Sequence, residues 1–328
     1  MQKLRLGVVG VGHLGTFHAR QAAESDIIEL VGAYDINQDQ AQKICAECGT
    51  DSYQVLEDLL AEADAVSIVV PTSEHYNVAM KALDNDCHIF IEKPITSTVQ
   101  EAEEIIQSAR SKGKKIQVGH IERFNPAMLS VREHRVEPMF IEAHRLSQFN
   151  PRGCDVSVVL DLMIHDLDLI LYLVKSPVKS IDACGVAVVS EAEDIANVRL
   201  KFESGCVANL TSSRISLKQM RRMRLFQKNQ YIAMDFMEKK ADIFRLGDTY
   251  PLPDPGGAAM VVGNIGVGDR ARDIVYEKPS PPQVNSLKME LEEFAMAVMQ
   301  DREPEVPGEQ GKQALEVANI ILEKIARP

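Results

Sequence analysis

Three features of this 328-residue chain predict an α/β fold: a doubly wound parallel sheet followed by an α+β region on a mostly antiparallel sheet. Strands alternate with helices through residue 120, a glycine-punctuated turn sits at 10–15, and from 178 to 245 strand follows strand. Alternation implies parallel strands with helices on both faces, whereas a run of strands implies antiparallel pairing. The length exceeds one ordinary domain. A first domain is expected over 1–120 and a second over 121–328, with the last helix, 310–325, returning to pack on the first.

The opening stretch MQKLRLGVVGVGHLGTF organises the rest. Leu4, Leu6, Val8 and Val9 form an apolar run of strand length, and a helical pattern resumes at Phe17, Ala19 and Ala22. Between them lie Gly10, Gly12, His13, Leu14 and Gly15. Strand, glycine turn, helix is the setting in which G-x-G-x-x-G binds a dinucleotide. Gly10 makes the tight turn, Gly12 admits a pyrophosphate to the backbone, and Gly15 lets helix pack on strand. The helix start adds N–H groups and the positive end of its dipole. A second apolar segment, 27–34, ends in Asp35, at the distance where a carboxylate accepts the ribose hydroxyls of NAD. An ordinary turn of small residues would share the glycines without the placed carboxylate.

Beyond Asp35 the pattern predicts helices at 39–48, 55–61 and 73–83, then one capped by Ser97 or Thr98 and running to 112. Strands are expected at 65–70, 88–91 and 115–118. Ligands of such a sheet gather at the carboxyl ends of its strands, where Gly10, Asp35, Pro71 and Lys93 fall. A lysine there hydrogen-bonds a substrate oxygen and favours its negative charge; the other reading is a solvated lysine. Pro94 stiffens its mount.

The periodicity changes after His120. Residues 120–126 lead into a helix to about 135, a strand follows at 139–148, and 155–174 reads as one long apolar helix. Strands fill 178–245 with turns at 203–205 and 228–230, 247–269 reads as a Gly/Pro-rich loop, and helices close the chain at 285–299 and 310–325. On the long helix Asp161 and His165 are four apart and share a face that Asp168 extends. Charges in such apolar company are paired or used. A carboxylate one turn from an imidazole orients the ring and suits it to general-base work near neutral pH. A satisfied core histidine beside a surface aspartate is the alternative.

Composition narrows the function classes. A net charge of −12 repels phosphates and argues against a nucleic-acid or acidic-membrane binder. No run of eighteen apolar residues occurs, and Lys3 and Arg5 precede a strand rather than a signal peptide. The six cysteines are scattered, with Cys45 and Cys48 on a helix, as expected of reduced thiols in a cytoplasmic protein; no metal site is expected. Arg214, Lys218, Arg221, Arg222 and Arg224 stand out as five cations with no acid among them. They suit a diphosphate, a solvated face, or pairing with a neighbouring subunit's carboxylates.

The glycine motif, the 69–75 turn VVPTSEH, Glu92-Lys93-Pro94 and Asp161-x-x-x-His165 together resemble the Gfo/Idh/MocA oxidoreductases over essentially the whole chain. The resemblance implies a Rossmann domain, an α+β domain whose sheet often forms the subunit interface, and NAD(P)-dependent hydride transfer at a sugar or cyclitol carbon. It implies that Lys93 contacts the substrate hydroxyl, His165 exchanges its proton, and Asp161 holds substrate or histidine. Pro71, Thr72, His75 and Glu92 join the cofactor site by the same likeness. Residues 120–127 and 152–166 resemble the UDP-N-acetylglucosamine 3-dehydrogenases that begin an amino-sugar route to lipid A. That likeness places His120, Glu122, Arg123 and Asn125 with the substrate. The expectation is therefore a homo-oligomeric (dimeric or tetrameric) NAD enzyme acting on a sugar or nucleotide sugar. Inositol or free-sugar dehydrogenases are the alternative, as is a nucleotide-sensing regulator without turnover.

Overall fold

The computed structural model describes residues 3–150, 156–247, 258–266 and 271–326. Two compact units divide the chain: 1–121 with 284–316, and 122–283 with 317–328. The helix Ser286–Met299, read from sequence with the second half, thus groups with the first unit, and the last helix, Gly308–Ala326, is shared between the two.

In the first unit β1 (Leu4–Val9), α1 (His13–Ala23), β2 (Ile28–Tyr34), α2 (Gln38–Cys48), β3 (Asp51–Tyr53) and α3 (Leu56–Glu62) alternate. They are followed by β4 (Ala65–Ile68), α4 (Thr72–Asp84), β5 (His88–Glu92), α5 (Val99–Ser111) and β6 (Ile116–Gly119). All strands run parallel in the order β3-β2-β1-β4-β5-β6. Chain order reverses between β1 and β4, so a crevice opens there at the carboxyl ends. The central strands are apolar on both faces because helices cover both: Leu6, Val8, Val66, Ile68, Ile89 and Ile91 are fully buried. Local chemistry sets the helix ends. Asn37 accepts from Gln40 N to start α2, and Gly49 in the left-handed region (φ 69°) stops it. Thr98, not Ser97, caps α5, in a reciprocal box with Glu101.

The second unit carries α6 (Pro126–Leu129), β7 (Phe140–Leu146), α7 (Ile164–Val174), β8 (Val178–Val186), β9 (Ile195–Phe202) and β10 (Val207–Ser213). Then come β11 (Met220–Gln227), β12 (Gln230–Asp235), β13 (Lys240–Leu246), β14 (Ala258–Ile265) and β15 (Arg272–Lys278). They form a nine-stranded sheet ordered β14-β15-β13-β12-β11-β7-β10-β9-β8, antiparallel except for β7 beside β10. Three expectations need correcting. The helix from 126 stops at Leu129, because Arg132 and His134 bond three residues back and tighten the chain toward β7. The long helix begins with a π-helical turn, Val159–Met163, before α7; its expected start at 155 lies outside the described residues. Within the expected 247–269 loop, β14 pairs with β15, a strand not foreseen; the apolar run Ala258–Val262 finds a partner despite its flanking glycines.

Among the described residues no helix is long and apolar enough to cross a membrane. The described cysteines are free thiols, and burial pushes Cys87 and Cys206 up to about 11, so both stay protonated.

His88 opens β5 and accepts from Lys115 N at 3.0 Å. Burial, then Lys114 and Lys115, lower its pKa from 6.5 to about 4. A folded value below the unfolded one means the unfolded chain takes up the proton first. The stability tied to neutral His88 is therefore complete above pH 6.5 and is lost as pH falls toward about 4. Urea midpoints at pH 7 and pH 4.5 should drop further for the wild type than for His88→Asn; equal drops would clear His88 of any part.

Candidate active site

The glycine turn is built by contacts that only hydrogen side chains allow. Gly10 has φ +88°, and a Cβ on it would lie 2.6 Å from the Val69 carbonyl oxygen. A Cβ on Gly15 would lie 1.9 Å from the Gly10 carbonyl oxygen, so helix α1 rests directly on turn backbone. At Gly12 nothing stands within 4 Å of that position. Gly12 is also the N-cap of α1 and has no side chain to close over the first-turn N–H groups. His13 and Leu14 lie exposed in that turn. This is an open cradle for a pyrophosphate at a helix start. Asp35 accepts from Val11 N at 2.7 Å and Asn37 N at 2.8 Å, one bond per carboxylate oxygen. Each oxygen keeps acceptor capacity for ribose hydroxyls. A cavity of about 380 Å³ runs past Gly10, Gly12, Asp35, Ile36, Val70 and Pro71, so the residues present fit NAD.

At the neighbouring strand end Glu92 closes β5 and Lys93 follows it. Glu92 Oε1 receives His18 Nε2 at 3.1 Å, and Oε2 accepts from Lys93 N at 3.2 Å. Burial pushes the Glu92 carboxyl up; His18 and Lys93 more than offset it, leaving it below the usual carboxylate range. His75, on α4 with Thr72, is 1 % exposed. Its Nε2 faces the Val70 carbonyl at 3.0 Å and its Nδ1 the Pro94 carbonyl at 2.9 Å. Burial lowers its pKa, the carbonyls opposing. A neutral imidazole donates to one of these carbonyls only, so His75 packs between the backbone turns that carry Pro71 and Lys93 and is bonded to one of them. His120, at the end of β6, is buried as well.

In the second unit Asp161 lies in the π-helical turn and His165 in the first turn of α7, both half-buried. π-Helical turns recur at functional sites. Around them runs a buried ionic frame. Arg145 holds Asp166 through two bonds, at 2.8 and 3.0 Å, and Glu122 through one at 2.8 Å. Arg123 holds Asp168 at 2.5 and 2.8 Å and stacks over Tyr172 at 4.5 Å. Burial would neutralise Arg145, but Asp166 and Glu122 raise its pKa instead, so it stays charged. Asn125 caps α6 through Ala127 N and donates to Glu122 at 2.9 Å. Asp168 therefore faces Arg123 inside the frame.

The basic run also has partners in its own chain. Arg222 lies opposite Asp235 across the ladder and pairs with it at 2.8 Å; Arg224 lies opposite Glu142 and pairs with it. Arg221 reaches Glu122 at 3.8 Å. Arg214 is buried and donates to the Val156 carbonyl beside the π-helical turn. Cross-strand pairing was invisible in sequence because register decides it. His18 was missed too, although its place three residues after Gly15 puts it on the same helix face.

The profile of the "oxidoreductase family, NAD-binding Rossmann fold" of Gfo/Idh/MocA type matches residues 4–120, and that of the Gfo/Idh/MocA C-terminal domain matches 119–232. UDP-N-acetylglucosamine 3-dehydrogenase of Acidithiobacillus ferrooxidans is 37% identical over 319 residues, 97% of this chain and 96% of that one. Its solved structure superposes with a TM-score of 0.87 at 35% identity, covering 99% and 98% of the two chains. The scyllo-inositol 2-dehydrogenase (NAD+) of Bacillus subtilis is 29% identical over 65% of this chain and 68% of its own.

Cofactor choice follows from the ribose end. Asp35 would meet a 2′-phosphate with like charge, and Ile36, 91 % exposed, offers no cation to offset it. Asp35→Ser with Ile36→Arg should shift kcat/KM from NAD toward NADP. Equal or better turnover of the wild type with NADP would remove Asp35 from that role.

Proposed function

This chain belongs to the Gfo/Idh/MocA family of NAD-binding oxidoreductases, and on that premise we propose that it oxidises the 3-hydroxyl of UDP-N-acetylglucosamine. The observation that carries the reading is 37% identity to the 3-dehydrogenase along nearly the full length of both chains, against 24% for a myo-inositol 2-dehydrogenase of Thermotoga maritima over a similar span. In this reading the reaction would begin an amino-sugar route to lipid A.

In this reading the glycine turn and Asp35 hold NAD, which supplies the hydride acceptor when bound. The carbinol carbon loses a hydride, its hydroxyl loses a proton, and a carbonyl forms. His165 takes the proton. Asp161, on the preceding turn, orients the imidazole or the substrate. The Lys93 ammonium stabilises charge gathering on the oxygen. His120 lines the substrate side at the end of β6. Glu122, Arg123 and Asn125 act through the buried frame: bonded to Arg145, Asp168 and the α6 cap, they hold α7, and with it His165, against β7.

Assembly is part of the same reading. Phe140, Phe226, Tyr231, Phe244 and Tyr276 stack across five strands with centroids 4.9 to 6.0 Å apart. Phe244 is 38 % exposed, so this face of the sheet leaves aromatic surface for a second copy. Arg222 and Arg224 share the face with Phe226 and are neutralised by Asp235 and Glu142, which suits an interface better than a diphosphate.

NADH production over a panel of UDP-N-acetylglucosamine, UDP-glucose, inositols and free sugars tests the substrate. Activity confined to inositols or free sugars would replace the proposal, and NAD binding without turnover of any would make the chain a sensor. Lys93→Ala and His165→Ala should each lower kcat by about a hundredfold or more while NAD affinity changes little. Normal turnover by either folded variant removes that residue from the mechanism.

For the sheet face, Phe244→Glu should yield smaller particles in sedimentation, whereas Arg222→Ala with Arg224→Ala should leave the nucleotide-sugar KM within about twofold. A much larger rise in KM would restore a diphosphate role, and unchanged sedimentation of Phe244→Glu would dismiss the interface.

A further inference from the structure

We propose that His18 is a positioning residue for the reaction: its ring holds the Glu92 carboxylate, and through it the backbone mount of Lys93. The linkage lies wholly in the first unit and rests on the dehydrogenase reading only for the statement that Lys93 meets substrate.

Four elements converge on it. Helix α1 supplies His18, 2 % exposed and set edge-on to Phe90 at 5.5 Å. Strand β4 supplies Ser67, whose hydroxyl meets Nδ1 at 2.9 Å. The end of β5 supplies Glu92, whose Oε1 lies 3.1 Å from Nε2 and whose Oε2 accepts from Lys93 N. Strand β6 supplies Gly119, where a Cβ would stand 2.8 Å from Oε1, so the carboxylate occupies space that a side chain would fill. A carboxylate only accepts, so Nε2 carries the proton of that bond. Ser67 on the other nitrogen fixes the ring's plane.

A nearly enclosed carboxylate is costly without charge-assisted hydrogen bonds, and His18 is its side-chain donor. The same helix offers its first-turn N–H groups to the pyrophosphate. His18 therefore couples the seat of the cofactor to the residue that meets the substrate oxygen, and it keeps an anion beside the Lys93 ammonium. Without the bond, Glu92 takes up a proton or swings away. Either result loosens the Lys93 turn and removes the neighbouring negative charge.

His18→Leu keeps bulk and loses the donor; His18→Gln keeps an N–H close to the Nε2 position. His18→Leu should lower kcat by about tenfold or more with the KM for NAD within about twofold, and His18→Gln should recover most of that loss. A turnover-free readout accompanies it: the NMR titration of reductively ¹³C-methylated protein, with the Lys93 signal identified by its absence in Lys93→Arg. The Lys93 midpoint should fall in His18→Leu and return in His18→Gln. Gly119→Ala, which crowds the same carboxylate while leaving His18 in place, should reproduce the fall and serves if His18→Leu does not fold. An unchanged Lys93 midpoint in His18→Leu, or in Gly119→Ala in its stead, overturns the proposal. So does a loss shared equally by the Leu and Gln variants, which would mark His18 as plain core packing. A wild-type protein inert toward every sugar would defeat the substrate reading, yet the titration would still decide the role of His18.

Discussion

The first unit depends on one contact, backbone against backbone, where helix α1 meets the glycine turn. Had Gly15 a side chain, its Cβ would overlap the Gly10 carbonyl oxygen. Everything around the cofactor seat is referenced to that approach. It sets the helix start over the crevice, brings Val11 N to Asp35, and lowers His18 onto Ser67 and Glu92. A helix held farther off would lose all three together, because a rigid helix transmits displacement along its length.

The second unit solves a different problem. Its helix α7 is apolar nearly all round yet carries Asp166 and Asp168 at 3 % and 1 % exposure. Two arginines on other segments meet them with paired bonds, and this is the arrangement in which buried charge is tolerated. Such pairs add little net stability over apolar packing, but removing one partner is expensive. Their use here is registration. Arg145 on β7 and Arg123 after β6 each accept a single rotation of α7, and so they determine which of its residues are left to face outward.

Much of this was legible in the residues. Apart from the three-residue edge strand β3, which no apolar run announces, strand and helix positions of the first 120 residues followed from apolar periods and from caps such as Thr98 and Gly49, because those signals are local. The strand β14 was not legible, since Gly and Pro around it speak for a loop and only pairing with β15 says otherwise. The short α6 and the π-helical turn before α7 escaped for a related reason: both are adjustments of a helical pattern to the structure it must join.

By itself, then, the order of residues determined the parallel sheet, the glycine turn and its carboxylate, and the presence of Lys93, Asp161 and His165 at strand-end and helical positions. Each rests on neighbours a few residues apart. Tertiary structure decided which charges are consumed: Glu122 and Arg123 by Arg145 and Asp168, Arg222 and Arg224 by Asp235 and Glu142, Glu92 by His18. Those partners are separated by 13 to 82 positions in sequence, and nothing local distinguishes a paired guanidinium from a free one. Only strand register and helix rotation bring the opposite charge within reach.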